Sequence, residues 1–350
     1  MRNAVLDSLL DNAGGSISVE EFMRAALYHP EVGYYALNVK QIGRRGDFST
    51  AATLSAALGR AVARWAMKKR RTFGLRWRWH LIEVGAGTGQ LARAVLDALS
   101  RLEQSRVVYH IVEISPSLRR LQEETLAGRR VRWHDSINDA LRAASGEALI
   151  FSNELADAFP CLQIVRTGGE WSKVMVARSA DGFEESFVPL EDKRLVNWPA
   201  SALASENRFG EGQRCEIHLD YAKWLGSFSE EFKNGWLLTI DYGDAIEHLY
   251  HRRPGGTLRG YSFHSMIQGL EIYERFGQQD ITADVNFTDL MAWGKICGLV
   301  TTRFEPQREF ILRNLPGALR LARSDAALAF ILNPQGMGKA FKVLEQVKKN

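Results

Sequence analysis

The segment Leu81-Ile82-Glu83-Val84-Gly85-Ala86-Gly87-Thr88-Gly89 constrains this chain more than any other. An apolar run of strand length feeds a glycine-rich turn, and a helical pattern follows at once. Glycine tolerates left-handed backbone and lets a ligand approach where a Cβ would collide. A helix that starts there offers free N–H groups to an anion. Strand, glycine turn and helix in that order form the opening corner of a doubly wound sheet, so the first expectation is an α/β, Rossmann-like fold.

The pattern downstream continues the theme. Strand-like runs at 80–84, 107–113, 130–133 and 148–153 alternate with helical runs at 89–102, 115–127 and 137–144, which predicts a parallel sheet with right-handed crossovers. After Pro160 the pattern turns to hairpins, split by Gly168 and Gly169, and then to helices at 198–206 and 217–232. An apolar strand at 236–240 runs into Asp241-Tyr242-Gly243, a long polar stretch covers 244–280, and 341–347 reads as an antiparallel closing strand. Four regions result: 1–75, a helical segment with a Gly/Tyr-rich loop; 76–165, a Rossmann-like cofactor core; 166–235, an inserted hairpin and helix region for substrate; and 236–350, the rest of the sheet.

The residues around the glycine turn select among cofactors. A dinucleotide site would place a small residue three past Gly87, where Gln90 stands. Instead Glu83 lies two before the first glycine and Gly89 two past Gly87, which suits S-adenosylmethionine. Glu83 can approach the cationic methionine end, Gly85, Ala86, Gly87 and Gly89 can lie against the ligand, and the helix end can receive its carboxylate. Glu113 ends the next strand, where one carboxylate can accept both ribose hydroxyls, a feature a nicotinamide cofactor would share. Asp135 follows the third strand at the level of an adenine amino group. The fourth strand ends in Asn153-Glu154, with Asp157 close behind. A carboxylate there can pin an arginine fork and leave one nitrogen facing a methyl group, so these three read as the acceptor side.

Composition removes other classes. With 45% apolar and 25% charged residues the chain is an ordinary globular one, and no run of about 18 apolar residues predicts a membrane span. Cys161, Cys215 and Cys297 are too far apart for a zinc knuckle, and their odd number argues against a disulfide framework. His248, His251 and His264 lack companion carboxylates or thiolates, so no metal is expected. The balance of 45 Lys+Arg against 41 Asp+Glu does not imply nucleic acid. The basic and aromatic stretch 68–80 reads as a helix end meeting a strand. The amino terminus shows neither a signal-peptide core nor a transit composition, and the cytoplasm is the expected compartment.

Further blocks resemble the MidA-like methyltransferases, relatives of the mitochondrial complex I assembly methyltransferase. They are His29-Pro30 with Gly33-Tyr34-Tyr35, Gly46-Asp47-Phe48 with Thr50, Val112-Glu113-Ile114-Ser115, Asn153-Glu154 with Asp157-Ala158 and Pro160, Asp241-Tyr242-Gly243, Gly256-Thr257-Leu258-Arg259, and the run from Asp280 to Phe287. The resemblance implies a seven-strand class I methyltransferase sheet with an added helical region. It also implies an arginine acceptor in a partner protein, which the mitochondrial members are taken to dimethylate symmetrically. It places Gly46, Asp47 and Thr50 beside the cofactor, Asn153, Glu154 and Asp157 beside the acceptor, and Asp241, Tyr242 and Arg259 in substrate binding. The chain departs from the family at Ala51-Ala52-Thr53-Leu54-Ser55, where Ser-Pro-Glu-Ile-Ser is usual, and at Phe276-Gly277, where Pro-Gly is common. Both departures concern the acceptor side. They leave two alternatives: an assembly factor that keeps the cofactor pocket and acts by holding a partner, and a methyltransferase for a small molecule. Neither nucleic acid nor membrane is an expected partner, and a homo-oligomer is compatible with the reading.

Overall fold

The computed structural model describes residues 3–37, 56–72, 77–195, 209–262, 265–334 and 337–349. They form two compact units: Ile42–Leu155 with Trp224–Tyr242 and Trp293–Asn350, and Met1–Gln41 with Ala156–Lys223 and Gly243–Ala292. This division cuts across the four regions read from the sequence.

The first unit is built on β1 (Trp79–Val84), β2 (Val107–Val112), β3 (Val131–His134), β4 (Glu147–Asn153), β5 (Asn234–Asp244), β6 (Val300–Pro306) and β7 (Phe341–Lys348). Their order is β6-β7-β5-β4-β1-β2-β3. The pairs from β3 across to β5 are parallel, whereas β7 runs antiparallel to both β5 and β6, so the sheet is mixed. β1, β2 and β4 are buried along nearly their whole length, as expected of parallel strands covered on both faces. Chain order moves outward from β1 to β3 and then returns to place β4 on the other side of β1. That reversal opens a crevice at the carboxyl ends of β1 and β4, where ligands of such sheets bind.

Helix Ala57–Thr72 packs its Leu58, Val62 and Trp65 face into the core formed with Leu81, Tyr109, Phe151, Leu238 and Val343. Gly59 permits its close approach to helix Gln90–Ala98, since a Cβ there would stand 2.5 Å from the Ala94 Cβ. Cations do end the helix as expected, but they turn inward. Lys69 reaches Glu345 at 2.6 Å and lies 3.3 Å over the Trp236 ring, and Arg70 pairs with Glu103 at 2.6 Å. The single helical run expected over 89–102 is broken at Leu99. There Ser100 caps a new helix, Arg101–Arg106, by accepting the Glu103 N–H at 3.3 Å. A line of three imidazoles crosses the sheet, His80 Nδ1 to His110 Nε2 at 2.9 Å and His110 Nδ1 to His134 Nε2 at 2.8 Å.

In the second unit the N-terminal segment is part of the packing. Ser18 and Glu21 form a capping box that starts helix Val19–Tyr28. The apolar face of that helix sets Phe22 edge-on against Phe183, Tyr273 and Phe276. Strands Ser16–Ser18, Leu162–Thr167, Glu170–Ser179, Gly182–Pro189 and Arg214–Ile217 form an antiparallel sheet, which accounts for the hairpin pattern after Pro160. The stretch 244–280, expected as a long loop, holds helices Ile246–Leu249 and Glu271–Glu274 and strands Arg259–Ser262 and Ser265–Ile267. Its polar side chains hid this order, because several of them pair with residues elsewhere in the unit, Arg253 and Arg259 with Asp284 and Tyr273 with Glu185. Short Val285–Asn286 pairs in parallel with Gly243 and Asp244. The helix expected at 198–206 lies outside the described residues. Among the described residues, no helix is long and apolar enough to cross a membrane.

Candidate cofactor site

β1 delivers Val84 into the turn, where Gly85, Gly87 and Gly89 have φ of +69°, +53° and +80°. All three lie in the left-handed region that other residues avoid. The Gly85 N–H donates to the Val112 carbonyl at 3.0 Å, tying the turn to the end of β2. A Cβ on Gly87 would meet nothing within 4 Å among the described residues. Gly89 caps helix Gln90–Ala98 with no side-chain hydrogen bond, which leaves the first N–H groups of that helix without a side-chain acceptor at the cap. A Gly87 face that no described residue covers and a helix start without a side-chain cap together fit the carboxylate end of an amino-acid ligand.

Glu83 and Glu113 sit on neighbouring strands at this edge. Glu83 is only 1% exposed and accepts a 2.6 Å hydrogen bond from the Tyr109 hydroxyl. Burial pushes its carboxyl up to about 7, the Tyr109 bond opposes that, and nearby Glu113 adds to it. Glu83 therefore lies beneath the turn with a tyrosine partner rather than as a solvated strand-end acid. Glu113 accepts the Ser115 N–H at 2.9 Å on one oxygen and the Gln122 amide at 2.8 Å on the other. Burial raises its pKa, and these hydrogen bonds work against the rise. Asp135 is placed differently: its side chain is 88% exposed and pairs with Arg119 at 3.1 Å. Gly46, Asp47 and Thr50 lie outside the described residues.

Two residues here escaped sequence reasoning. Ile114 directly follows Glu113 and is 71% exposed, an apolar surface beside that carboxylate. Gln122 is fully buried and, with Leu118, forms the buried face of helix Pro116–Thr125. A polar residue four positions after an apolar one on that face was the available signal.

The end of β4 holds the acceptor candidates of this unit. Asn153 Nδ2 donates to Glu154 Oε1 at 2.8 Å, while Asn153 Oδ1 is buried with no hydrogen-bond partner among the described residues. Glu154 has φ of +53°, one of three non-glycine residues with positive φ among those described. The corner is braced from β5. Ile240 O accepts the Glu154 N–H at 2.9 Å, and the fully buried Asp241 accepts the Leu155 N–H at 3.1 Å and the Tyr242 N–H at 2.9 Å. Asp241, read as substrate-binding, thus holds the turn after β4. Tyr242 packs on Phe341 with ring centroids 3.8 Å apart.

Asp157 and Arg259 belong to the second unit. Asp157 is buried, accepts the Thr282 hydroxyl at 2.9 Å, and is raised by that burial. Asp280 accepts the Tyr35 hydroxyl at 2.9 Å and is pushed up to about 7, by burial and then by Asp157. Arg259 donates to Asp284 at 2.6 Å, to the Thr257 carbonyl at 3.0 Å and to the Tyr261 hydroxyl at 3.0 Å. Its charge is engaged inside the unit. Among the described residues no cluster of His, Cys, Asp and Glu is fit to hold a metal ion.

Comparison with known proteins agrees with the glycine-turn geometry. The model of a family of S-adenosyl-L-methionine-dependent methyltransferases matches residues 61–305. The Drosophila melanogaster mitochondrial protein arginine methyltransferase NDUFAF7 homolog is 28% identical over 94% of this chain and 81% of its own length. The Danio rerio mitochondrial protein arginine methyltransferase NDUFAF7 is 26% identical over 94% and 83%. A Burkholderia thailandensis crystal structure bound to S-adenosyl-homocysteine superposes with a TM-score of 0.86 at 28% identity, covering 99% of this chain and 91% of that one. The expected cytoplasmic setting is corrected by these relatives, whose names place them in mitochondria. Unpaired cysteines and the lack of a spanning helix among the described residues do not separate one reducing compartment from another. The glycine turn, its two strand-end carboxylates and a family match over most of the chain lead to one identification: this protein belongs to the S-adenosyl-L-methionine-dependent methyltransferase family.

Proposed function

We propose that the chain methylates an arginine side chain of a partner protein. The relatives' names as protein arginine methyltransferases support this acceptor. The strand order β3-β2-β1-β4-β5-β7-β6 supports reading the sheet as the seven-strand class I methyltransferase architecture, with Val285–Asn286 as a short addition beside the end of β5.

The observation that carries the proposal is the Asn153-Glu154 corner. Left-handed backbone at a residue with a Cβ costs of order 1 kcal/mol and tends to persist where function needs it. Here it coincides with a buried amide oxygen that has no partner among the described residues and a carboxylate beside it. A guanidinium presents a planar fork of N–H donors, which an amide oxygen and a carboxylate oxygen side by side can receive. Glu154 then draws positive charge toward the nitrogens it holds and leaves the remaining nitrogen the better nucleophile. Asn153 fixes the plane of the fork, and Glu154 receives the proton that the methylated guanidinium sheds from a nitrogen the carboxylate holds. At the cofactor end, Gly85, Gly87 and Gly89 hold the methionine portion, Glu113 the ribose hydroxyls, and Ile114 covers the base. S-adenosylmethionine supplies the electrophilic methyl group.

The test is turnover on arrays of arginine-containing peptides, with mass spectrometry locating the methyl group. Glu154→Gln should lower kcat about 100-fold, because general-base and charge effects of this kind are worth roughly 10²–10⁴. Binding of S-adenosylhomocysteine should stay within about twofold of the parent. Parent-like turnover by Glu154→Gln, or methyl found only on small molecules, refutes the proposal.

A further inference from the structure

We infer that Gln122 is the positioning residue that sets cofactor affinity, by holding the glycine turn and the ribose carboxylate in register through one amide group. The inference rests on the reading of Gly85 to Gly89 and Glu113 as the cofactor site. Gln122 Nε2 donates to the Gly87 carbonyl at 2.9 Å and to Glu113 Oε2 at 2.8 Å, while Gln122 Oε1 accepts the Trp133 indole N–H at 3.1 Å. Both amide hydrogens face oxygen acceptors and the amide oxygen faces a donor, so only one orientation of the side chain satisfies the set. The residue is fully buried, and its hydrogen bonds reach the turn after β1, the end of β2 and β3 together.

Each bond has a consequence for a ligand. The Gly87–Thr88 peptide is trans, so its N–H points opposite to its carbonyl. With the Gly87 carbonyl turned to Gln122, the Thr88 N–H is turned away from Gln122. The Gly89 N–H to Ala86 carbonyl bond at 2.8 Å closes the turn around this peptide, and within it glycine permits a rotation of the peptide plane that other residues resist and that the Gln122 bond blocks. At the other end, the Gln122 bond fixes the plane of the Glu113 carboxylate and favours its charged form, the form that accepts two hydroxyl hydrogens. A ligand that touches both the turn and Glu113 meets two preset groups whose relative position depends on one side chain. Helix packing explains a buried apolar residue at position 122 equally well, but it does not require three matched hydrogen bonds, two of them to cofactor-facing groups.

The experiment is isothermal titration of the full chain with S-adenosylhomocysteine, together with steady-state KM and kcat for S-adenosylmethionine. Gln122→Leu removes both donors at similar volume. Its affinity should fall roughly 10- to 100-fold, about what the loss of one hydrogen bond to a charged group costs. KM should rise by the same factor with kcat near that of the parent, the signature of lost uniform binding. Gln122→Glu supplies a readout that packing alone would not move. Ionised, it faces Glu113 and the Gly87 carbonyl with no donor; protonated, it restores one hydrogen bond. The gap in affinity between this variant and the parent should therefore narrow as the pH is lowered from about 8 to about 5.5.

Glu113→Gln and Gly87→Val separate the two possible failures. If they lose affinity while Gln122→Leu binds like the parent, the role of Gln122 is overturned and the site stands. If they too bind like the parent, the site reading falls and the inference with it. Should Gln122→Leu fail to fold, Gln122→Glu and Gln122→Met decide: a gap that does not change with pH, together with parent-like affinity for Gln122→Met, overturns the inference.

Discussion

The three hydrogen-bonded imidazoles of β1, β2 and β3 make acid stability the most informative test of the sheet. His110 sits in the middle, fully buried, with a ring nitrogen engaged on each side. Burial comes first, and His80, His134 and Arg132 add repulsion, so its pKa falls from 6.5 to about 3. The unfolded chain therefore binds a proton between about pH 6.5 and 3 that the native state refuses. The sign follows: this stability is complete above the unfolded value and is lost as pH drops toward the folded one. At 1.36 kcal/mol per pH unit, moving from neutral pH to about pH 5 costs about 2 kcal/mol through His110 alone. That is a sizeable part of the 5–15 kcal/mol typical of a domain. Glu83 and Asp280, both pushed up to about 7, act in the opposite sense and mask the effect in the parent. Comparison with His110→Leu removes the mask, because both chains share those carboxyls. Urea unfolding at about pH 7.5, 6.5, 5.8 and 5 should show the variant gaining about 2 kcal/mol on the parent across the series. Parallel stability curves for the two proteins would falsify the claim that the imidazole line is neutral in the folded state.

Two further outcomes follow from named groups. Glu83→Gln keeps an acceptor for the Tyr109 hydroxyl and removes a carboxyl raised from 4.5 to about 7 by burial. A raised acid loses stability as pH climbs from its unfolded to its folded value, so the variant should gain up to about 3 kcal/mol on the parent between about pH 4.5 and pH 7. A pH-independent difference in urea midpoints contradicts the buried-acid assignment. Asp241→Ala removes the acceptors of the Leu155 and Tyr242 N–H groups and should destabilise the chain by about 2–4 kcal/mol, with turnover falling as the Asn153-Glu154 corner loosens. A loss below about 0.5 kcal/mol in thermal or urea unfolding shows that the corner is held by other means.

The cofactor half of the candidate site rests on residues that obey local rules. Gly85, Gly87 and Gly89 are glycines for backbone reasons that hold wherever such a turn occurs, and Glu83 and Glu113 are set at strand ends by period and length alone. The acceptor half was less legible. Asp241 and Arg259 stand out as charged residues in motif-like blocks, yet one braces a turn and the other lies in an internal ion pair with Asp284. Asp135 sits at a strand-end position but turns to Arg119 in solvent. Charge type says that a group can bind something; only its neighbours say what it binds.

Order along the chain determined the alternating strands, the glycine corner and the apolar runs of β1, β2 and β4, because hydrophobic period and glycine geometry act over a few residues. Tertiary structure alone decided the rest. It brought the N-terminal helix Val19–Tyr28 onto strands from 162–189, structured the polar stretch 244–280 through pairs between distant residues, and aimed Gln122 at both Gly87 and Glu113. Those outcomes depend on which surfaces meet across long sequence separations, and no local pattern encodes the partner of a buried polar group.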